Sequence, residues 1–370
     1  MTHHINEFTV HDYKGIHELT LKDIASINIL TGDNNSGKTS LLELIATTED
    51  PSSLWNWRSA LRINNISFFR CRSYFEGFCN LFPFEQAEGK KVEYEWLDQD
   101  KKKFQWQMNG TVINKQILES EIDKNRHHVN LEGEKKVNRK NEDVLLDSQE
   151  IKLIFSCNGS HIEDSKTVFD RQNYISDDRP SYQNNEIIFV SPFVYITHDY
   201  LNNTLTNPDA YVQLIYMLKF FDPHIIGLNA IKSDYSPNIV NYQILSNNHK
   251  HSLPLSEYGD GMKMAIHFLS ALIQAQNGIL LIDEFETGIH TSCMDQVFSL
   301  LLENALKLNV QVFMTSHSKE AISKVLRLSP DIQEKLALYT LYKYKGKNYA
   351  RRVDCQKAIK MQEELGMELR

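Results

Sequence analysis

Apolar and polar positions alternate quickly at the start of the chain. Short apolar stretches, Phe8-Thr9-Val10, Ile16-His17-Glu18-Leu19-Thr20-Leu21 and Ile27 to Leu30, are parted by Asp12-Tyr13-Lys14-Gly15 and by Lys22-Asp23. That spacing predicts successive strands. Leu41-Leu42-Glu43-Leu44-Ile45-Ala46 then reads as a helix, and Asp50-Pro51-Ser52-Ser53 breaks the pattern. The pattern is as clear from residue 255 onward. Met262, Ala265, Ile266, Leu269, Leu272 and Ile273 recur at helical spacing, with Gly278 as the expected stop. Ile279-Leu280-Leu281-Ile282 is a continuous apolar run of strand length, suited to a parallel strand buried on both faces. Met294, Val297, Phe298, Leu301, Leu302, Ala305 and Leu306 trace another helix face, and Val310 to Met314 the next strand. The tail predicts a hairpin around Gly346, then a helix from Asp354 stopped by Gly366.

Between these ends the signal is weaker. Residues 55–85 are aromatic-rich and read as mainly helical. Val92 to Trp96 and Phe104 to Met108 alternate, and Asn109-Gly110 predicts a turn of a meander. Residues 115–150 are dense in charge and poor in apolar groups, which predicts a solvated insertion or mobile loop. Residues 160–186 read as loop, Ile187-Ile188-Phe189-Val190 as a buried strand, and 205–228 as a helical stretch ending near Phe221-Asp222-Pro223. Neither a sustained heptad nor an internal repeat is present.

Composition narrows the class. The chain has 370 residues, 41% hydrophobic and 24% charged, which suits a globular protein with ample core. Its formal net charge of −8 excludes a global basic field, so direct nucleic-acid binding would need a local patch or a partner. The clusters Lys101-Lys102-Lys103, Lys135-Lys136 with Arg139-Lys140, and Arg351-Arg352 read as solvated faces. The 5 cysteines are scattered without a C-x-x-C, which points to a reducing cytoplasm. The start of the chain lacks signal-peptide character and no apolar run reaches membrane-spanning length, so no membrane contact is expected. The histidine pairs at 3–4 and 127–128 have no metal-ligand partners at recognisable spacing and read as surface residues.

The chemistry is carried by Gly32-Asp33-Asn34-Asn35-Ser36-Gly37-Lys38-Thr39, a G-x-x-x-x-G-K-T placed between a strand and a helix. Glycines let backbone N–H groups curl round the phosphates of a nucleotide, and the helix N-terminus adds partial positive charge. Gly32, Asn34, Asn35, Ser36, Gly37, Lys38, Thr39 and Ser40 are therefore the nucleotide-binding candidates, with Lys38 reaching the β- and γ-phosphates and Thr39 reaching Mg2+. Asp283-Glu284 follows the apolar run 279–282. An Asp at the end of a buried strand can hold Mg2+, and the adjacent Glu284 can polarise an attacking water as general base. His317, in Thr315-Ser316-His317-Ser318, stands at the end of the next strand, where side chains of such sheets face the ligand crevice, while Ser318 suits a helix N-cap. Ser256-Glu257-Tyr258-Gly259-Asp260-Gly261 precedes the helix from 260 and offers a second anion site. Within one subunit that site is redundant; it becomes useful against the γ-phosphate bound to another subunit.

This order of Walker A, S-x-x-G-x-G, Walker B with a following Glu, and strand-end His resembles ABC/SMC-type ATPases. Leu30 to Ser40 and Asp283-Glu284-Phe285-Glu286-Thr287-Gly288-Ile289-His290 look like the OLD-type branch, the stand-alone bacterial ATPases of the AAA15/AAA21 group. The likeness covers roughly 5–48 and 250–325. It departs from the transporter signature L-S-G-G-Q, leaving the serine position to Ser256 or Glu257, and no Q-loop glutamine is placed. The resemblance implies an α/β head with a mixed sheet, antiparallel lead-in strands and a parallel core, plus a helical and loop insertion. Its expected parts are a P-loop lobe over 1–50, the insertion over 51–250, a signature, Walker B and switch-His lobe over 251–330, and a C-terminal hairpin and helix over 331–370. It implies a homodimer or higher homo-oligomer closing on ATP and Mg2+, with Lys38, Thr39, Asp283, Glu284 and His317 in cis, Ser256, Gly259 and Gly261 in trans, and 286–290 as a coupling D-loop. The residues after His317 hold no D-x-D of a Toprim nuclease. The implied role is thus a slow ATPase acting as sensor or scaffold in an anti-phage, abortive-infection-type system, with a separate effector nuclease or toxin and a phage-derived trigger. A DNA-repair ATPase acting on DNA directly is the alternative. No N-K-x-D motif marks a GTPase.

Overall fold

A computed structural model of the chain describes residues 4–62, 73–82, 90–118, 145–162, 165–170, 187–191, 198–233 and 236–365. The chain enters through a hairpin, β1 (Ile5–Tyr13) and β2 (Ile16–Leu21), and passes directly into β3 (Ile27–Gly32). The hairpin is extended by β4 (Lys90–Asp98), β5 (Lys103–Leu118), β6 (Leu145–Cys157), β7 (Ser160–His161) and β8 (Lys166–Phe169). These make an all-antiparallel sheet in the order β2-β1-β4-β5-β6-β7, with β8 on β6.

The central sheet gathers β3, β9 (Ile187–Val190), β13 (Ile279–Ile282), β14 (Gln311–Thr315), β15 (Leu336–Tyr344) and β16 (Lys347–Asp354), in the order β16-β15-β3-β14-β13-β9. All neighbours pair in parallel except β15 with the edge strand β16. Residues of β3, β13 and β14 are buried throughout, and their side chains alternate between two cores. Ile27, Ile29, Leu280, Ile282, Val312 and Met314 enter one core with the helices α6 (Asp260–Gln274) and α7 (Thr291–Lys307). Leu30, Ile279, Leu281 and Phe313 enter the other with α1 (Lys38–Thr47) and the antiparallel sheet. A strand covered on both faces needs an uninterrupted apolar run, which is what the sequence supplies. β10 (Ile225–Ser233), β11 (Ser236–Ser246) and β12 (Leu253–Pro254) form a third, antiparallel sheet beside α4 (His198–Thr206) and α5 (Pro208–Leu218).

Several local expectations are corrected. Asn109-Gly110 is not a turn: β5 runs straight through it, and the reversal lies at residues 99–102, where Lys101 takes φ 59. Gly110 serves packing instead, since a Cβ there would lie 2.5 Å from the Phe82 ring. The described ends of the 115–150 segment are strand, paired as arms of one hairpin with Leu118 opposite Leu145; residues 119–144, including His127, His128 and the Lys135 cluster, lie outside the described residues. Of 55–85, the described part holds a 3-10 turn at Leu54–Trp57, α2 (Arg58–Leu61) and α3 (Tyr74–Cys79). The region 160–186 contributes β7 and β8, with 171–186 outside the described residues. The 205–228 helix stops at Leu218, and a strand begins at Ile225. The helix expected to stop at Gly278 ends at Gln274, and the left-handed residue of the turn after it is Asn277, at φ 63. His4 is buried, its ring bonded to the Asn309 carbonyl at 3.0 Å and to Gln99. The tail hairpin and its helix (Cys355–Leu365) stand as expected, Gly366 lying outside the described residues. Among the described helices none is long and apolar enough to cross a membrane.

Candidate nucleotide site

The phosphate loop leaves β3 at Gly32, whose φ is 138 and where a Cβ would stand 2.2 Å from the Leu341 carbonyl oxygen on β15. Only glycine fits so close an approach. Asn34 and Asn35 are exposed at the crest of the loop, Asn35 with φ 63, and Ser36 is buried. Gly37, at φ 100, is the N-cap of α1 and packs on Ile16; a Cβ there would lie 2.9 Å from that side chain. The Lys38 ammonium is buried within the loop, donating to the carbonyls of Gly32 (2.8 Å) and Asp33 (2.9 Å). Burial pulls its pKa down, against the opposing pull of the carboxylates of Asp283, Asp33, Glu284 and Glu286.

Asp283 arrives from β13. Its carboxylate is 4% exposed and accepts from the Thr39 hydroxyl at 3.0 and 3.1 Å and from the Thr315 hydroxyl at 2.5 Å. Burial raises its pKa, while the two hydroxyls act in the other direction. The next residue, Glu284, has φ 48, a left-handed backbone that costs a non-glycine residue on the order of 1–2 kcal/mol. Its N–H donates to the same Thr315 hydroxyl at 2.8 Å, and its carboxylate accepts from Thr287 at 3.3 Å. Thr315 therefore ties the two acids together. Glu286 accepts the backbone N–H groups of His317 and Ser318, both at 3.1 Å, which fixes the turn carrying the exposed His317 side chain. Ser318 caps α8 (Lys319–Leu326) through the Ala321 N–H, so the capping expectation holds beside the placement of His317.

A cleft of about 690 Å³ opens over the loop, walled by Asn34, Asn35, Gly37, Lys38, Thr39, Ser40 and His317. Lys14, Arg62 and Asn80 line it as well, and sequence reasoning missed them. Lys14 and Arg62 share one anchor, Glu43, a carboxylate 1% exposed inside α1. It accepts from Lys14 (2.9 Å), Arg62 (2.6 Å) and Tyr13 (3.1 Å), and Arg62 also donates to Ser40 Oγ at 3.2 Å. The available signal was one charged residue in an otherwise apolar helical run. Ser256 and Gly259 are exposed on the loop before α6 and are not in the wall of this cleft. Gly259 is the N-cap of α6 without a side-chain cap and with open space around it, whereas a Cβ at Gly261 would lie 2.9 Å from Cys293 Cβ on α7.

The donor set fits a triphosphate with a hard divalent cation. Glycine backbone and three cationic side chains face the cleft, and the hydroxyl of Thr39 and carboxylate of Asp283 are oxygen ligands of the kind Mg2+ takes. Among the described residues no group of three or more His, Cys, Asp or Glu is placed to hold a metal ion, so Mg2+ here would share Thr39 and Asp283 with the phosphate oxygens of the nucleotide. Such a loop between a buried strand and a helix defines a P-loop nucleotide-binding protein. Comparison of the sequence with known families agrees: the family described as "AAA domain, putative AbiEii toxin, Type IV TA system" matches residues 27–323, and the chain belongs to it. An "ATP/GTP phosphatase" of Helicobacter pylori is 24% identical over 352 residues, covering 86% of each protein. Among solved structures, the SMC head domain from Thermotoga maritima is similar at 11% identity with a TM-score of 0.48, over 94% of this chain and 98% of that one. The recombination mediator RecF is similar at 12% identity with a TM-score of 0.42, over 95% and 98%.

Proposed function

We propose that the protein is an ATP-hydrolysing switch of a bacterial anti-phage system, working in the cytoplasm. Two copies close on ATP, hydrolysis reopens them, and the cycle controls a separate effector protein. The loop N–H groups and Lys38 bind the β- and γ-phosphates, with Asn34, Asn35, Ser36 and Ser40 along the loop. Thr39 and Asp283 hold Mg2+, which when bound neutralises charge on the phosphate oxygens. Glu284 takes the proton of the attacking water, and His317 contacts the γ-phosphate. Ser256, Gly259 and Gly261 act on the nucleotide of the other copy, and residues 286–290 couple the two sites.

The observation that carries this reading is positional. The phosphate loop, Thr315 with His317, and the pair Asp283-Glu284 all stand at the carboxyl ends of three neighbouring parallel strands, β3, β14 and β13. That is where open α/β sheets bind ligands. The outward Ser256 and the uncapped start of α6 support the trans assignment. The phosphatase name of the relative supports turnover, and the toxin wording of the family supports an effector-linked role. Steady-state phosphate release tests the enzymatic part: Lys38→Ala should abolish it, and Glu284→Gln should lower it at least about 100-fold while nucleotide binding persists. Wild-type turnover by Glu284→Gln would remove Glu284 as the base. Co-purification with products of neighbouring genes tests the effector; none retained in either nucleotide state would count against it.

A further inference from the structure

The chain's net charge of −8 makes one local feature conspicuous: from Thr340 to Val353 there is no acidic residue, while Lys343, Lys345, Lys347, Arg351 and Arg352 all fall there. This is the β15–β16 hairpin, closed by Lys345 (φ 48) and Gly346 (φ 80), the two positive-φ residues of a tight hairpin turn. Register sorts its side chains. Tyr342 stands opposite Tyr349, Tyr344 opposite Lys347, and Thr340 opposite Arg351, so these share one face. The Tyr342 and Tyr349 rings stack at 5.5 Å and 18°, and Lys345 lies over the Tyr344 ring at 5.3 Å. The tyrosines remain 40–58% exposed. Arg352 is engaged by Asp354 and the Asp23 carbonyl, but among the described residues no carboxylate pairs with Lys345, Lys347 or Arg351.

We propose that this face of the hairpin binds single-stranded nucleic acid, with the tyrosines stacking on bases and the three unpaired cations meeting phosphates. Lysines alone would be explained as protection of an edge strand against pairing with another chain. Three exposed tyrosines on the same face work against that purpose, and they are what unstacked bases need. A duplex keeps its bases stacked on one another and offers only backbone charge. The opposite face of the hairpin is fixed to the phosphate loop: buried Asn348 accepts the His17 N–H at 3.1 Å and reaches the Ser36 carbonyl at 3.5 Å. The hairpin therefore backs onto both β2 and the phosphate loop, with its tyrosines on the face turned away from them. The inference does not depend on the ATPase reading.

The test is fluorescence anisotropy of the full chain with short labelled single-stranded DNA and RNA, alongside the matching duplex, polyglutamate and phosphatidylserine vesicles. Single strands should bind, weakening about 20-fold between roughly 50 and 200 mM salt if three phosphates are contacted. Tyr342→Ala and Tyr349→Ala should each weaken binding roughly 5- to 150-fold. Combined Lys345→Glu, Lys347→Glu and Arg351→Glu should remove binding together with its salt dependence. ATP affinity, measured in parallel, should match the wild type in every variant, which separates this site from the nucleotide cleft. A preference for DNA or for RNA identifies the source of the strand. The proposal is overturned if neither single strand binds with or without ATP, if duplex, polyglutamate or vesicles bind as tightly, or if the tyrosine variants bind like the wild type.

Discussion

Replacing Thr315 by valine keeps the volume of the side chain and deletes one hydroxyl. Thr315 is 1% exposed, so no water can take the hydroxyl's place. Two bonds go at once: the donation to the Asp283 carboxylate at 2.5 Å and the acceptance from the Glu284 N–H at 2.8 Å. A hydrogen bond to a charged group contributes about 1.5–3 kcal/mol, and a buried N–H left without an acceptor costs about 1–3 kcal/mol. Because relaxation recovers part of this, we expect Thr315→Val to lower stability by about 2–4 kcal/mol, read from urea unfolding without nucleotide. The second consequence is catalytic. The strained φ of 48 at Glu284 is held by that N–H bond; released, the residue relaxes and its carboxylate swings away. A misplacement of about 1 Å costs on the order of 100-fold in kcat. KM for ATP should change little, because Lys38 and the loop are untouched. Thr315→Ser keeps the hydroxyl and should restore both properties. Thr315→Val with wild-type stability and turnover would refute the reasoning, as would Thr315→Ser as impaired as the valine variant.

Other tests follow from the same geometry. Glu43→Ala strips the carboxylate from Lys14 and Arg62 beside the cleft; with Arg62 half exposed, the cost should be about 2–3 kcal/mol rather than that of a fully buried pair. ATP affinity should fall with it, and an unchanged affinity by calorimetry would detach this network from the nucleotide. His267, buried in α6, has its pKa pushed down to about 4 by loss of water. Its native form is neutral while the unfolded chain protonates near pH 6.5. Stability is therefore full above that value and drains away as pH falls toward 4, by about 2 kcal/mol between pH 7 and 4.5. His267→Gln should flatten this acid limb, and an equal loss in both proteins would place the acid sensitivity elsewhere.

What could be read from the sequence was what is local. The phosphate loop, Asp283-Glu284 and the strand-end His317 are contiguous motifs, and β3, β13 and β14 announce themselves because burial on both faces demands unbroken apolar runs. What could not be read depends on partners far along the chain. Gly110 looks like a turn residue until Phe82 is seen against it, and the strand then continues past Asn109 without difficulty. Glu43 is only a lone charge in the apolar run 41–46 until Lys14 and Arg62 close on it. Thr315 could be seen only as part of a motif, because its contacts to Asp283 and Glu284 cross between strands. Arg351-Arg352 reads as a solvated pair because only the register with β15 brings Tyr342 and Tyr344 onto the face that Arg351 shares with Tyr349 and Lys347. The β10–β11 hairpin was hidden by a segment whose start continues the helical periodicity of α5.

The most direct test of the account is the native mass of Glu284→Gln protein, with and without ATP and Mg2+. The account predicts a shift from monomer to dimer only when both are present, and loss of that shift when Ser256 and Gly259 are also replaced. A protein that binds ATP with Mg2+ and keeps the mass of a single chain would contradict it.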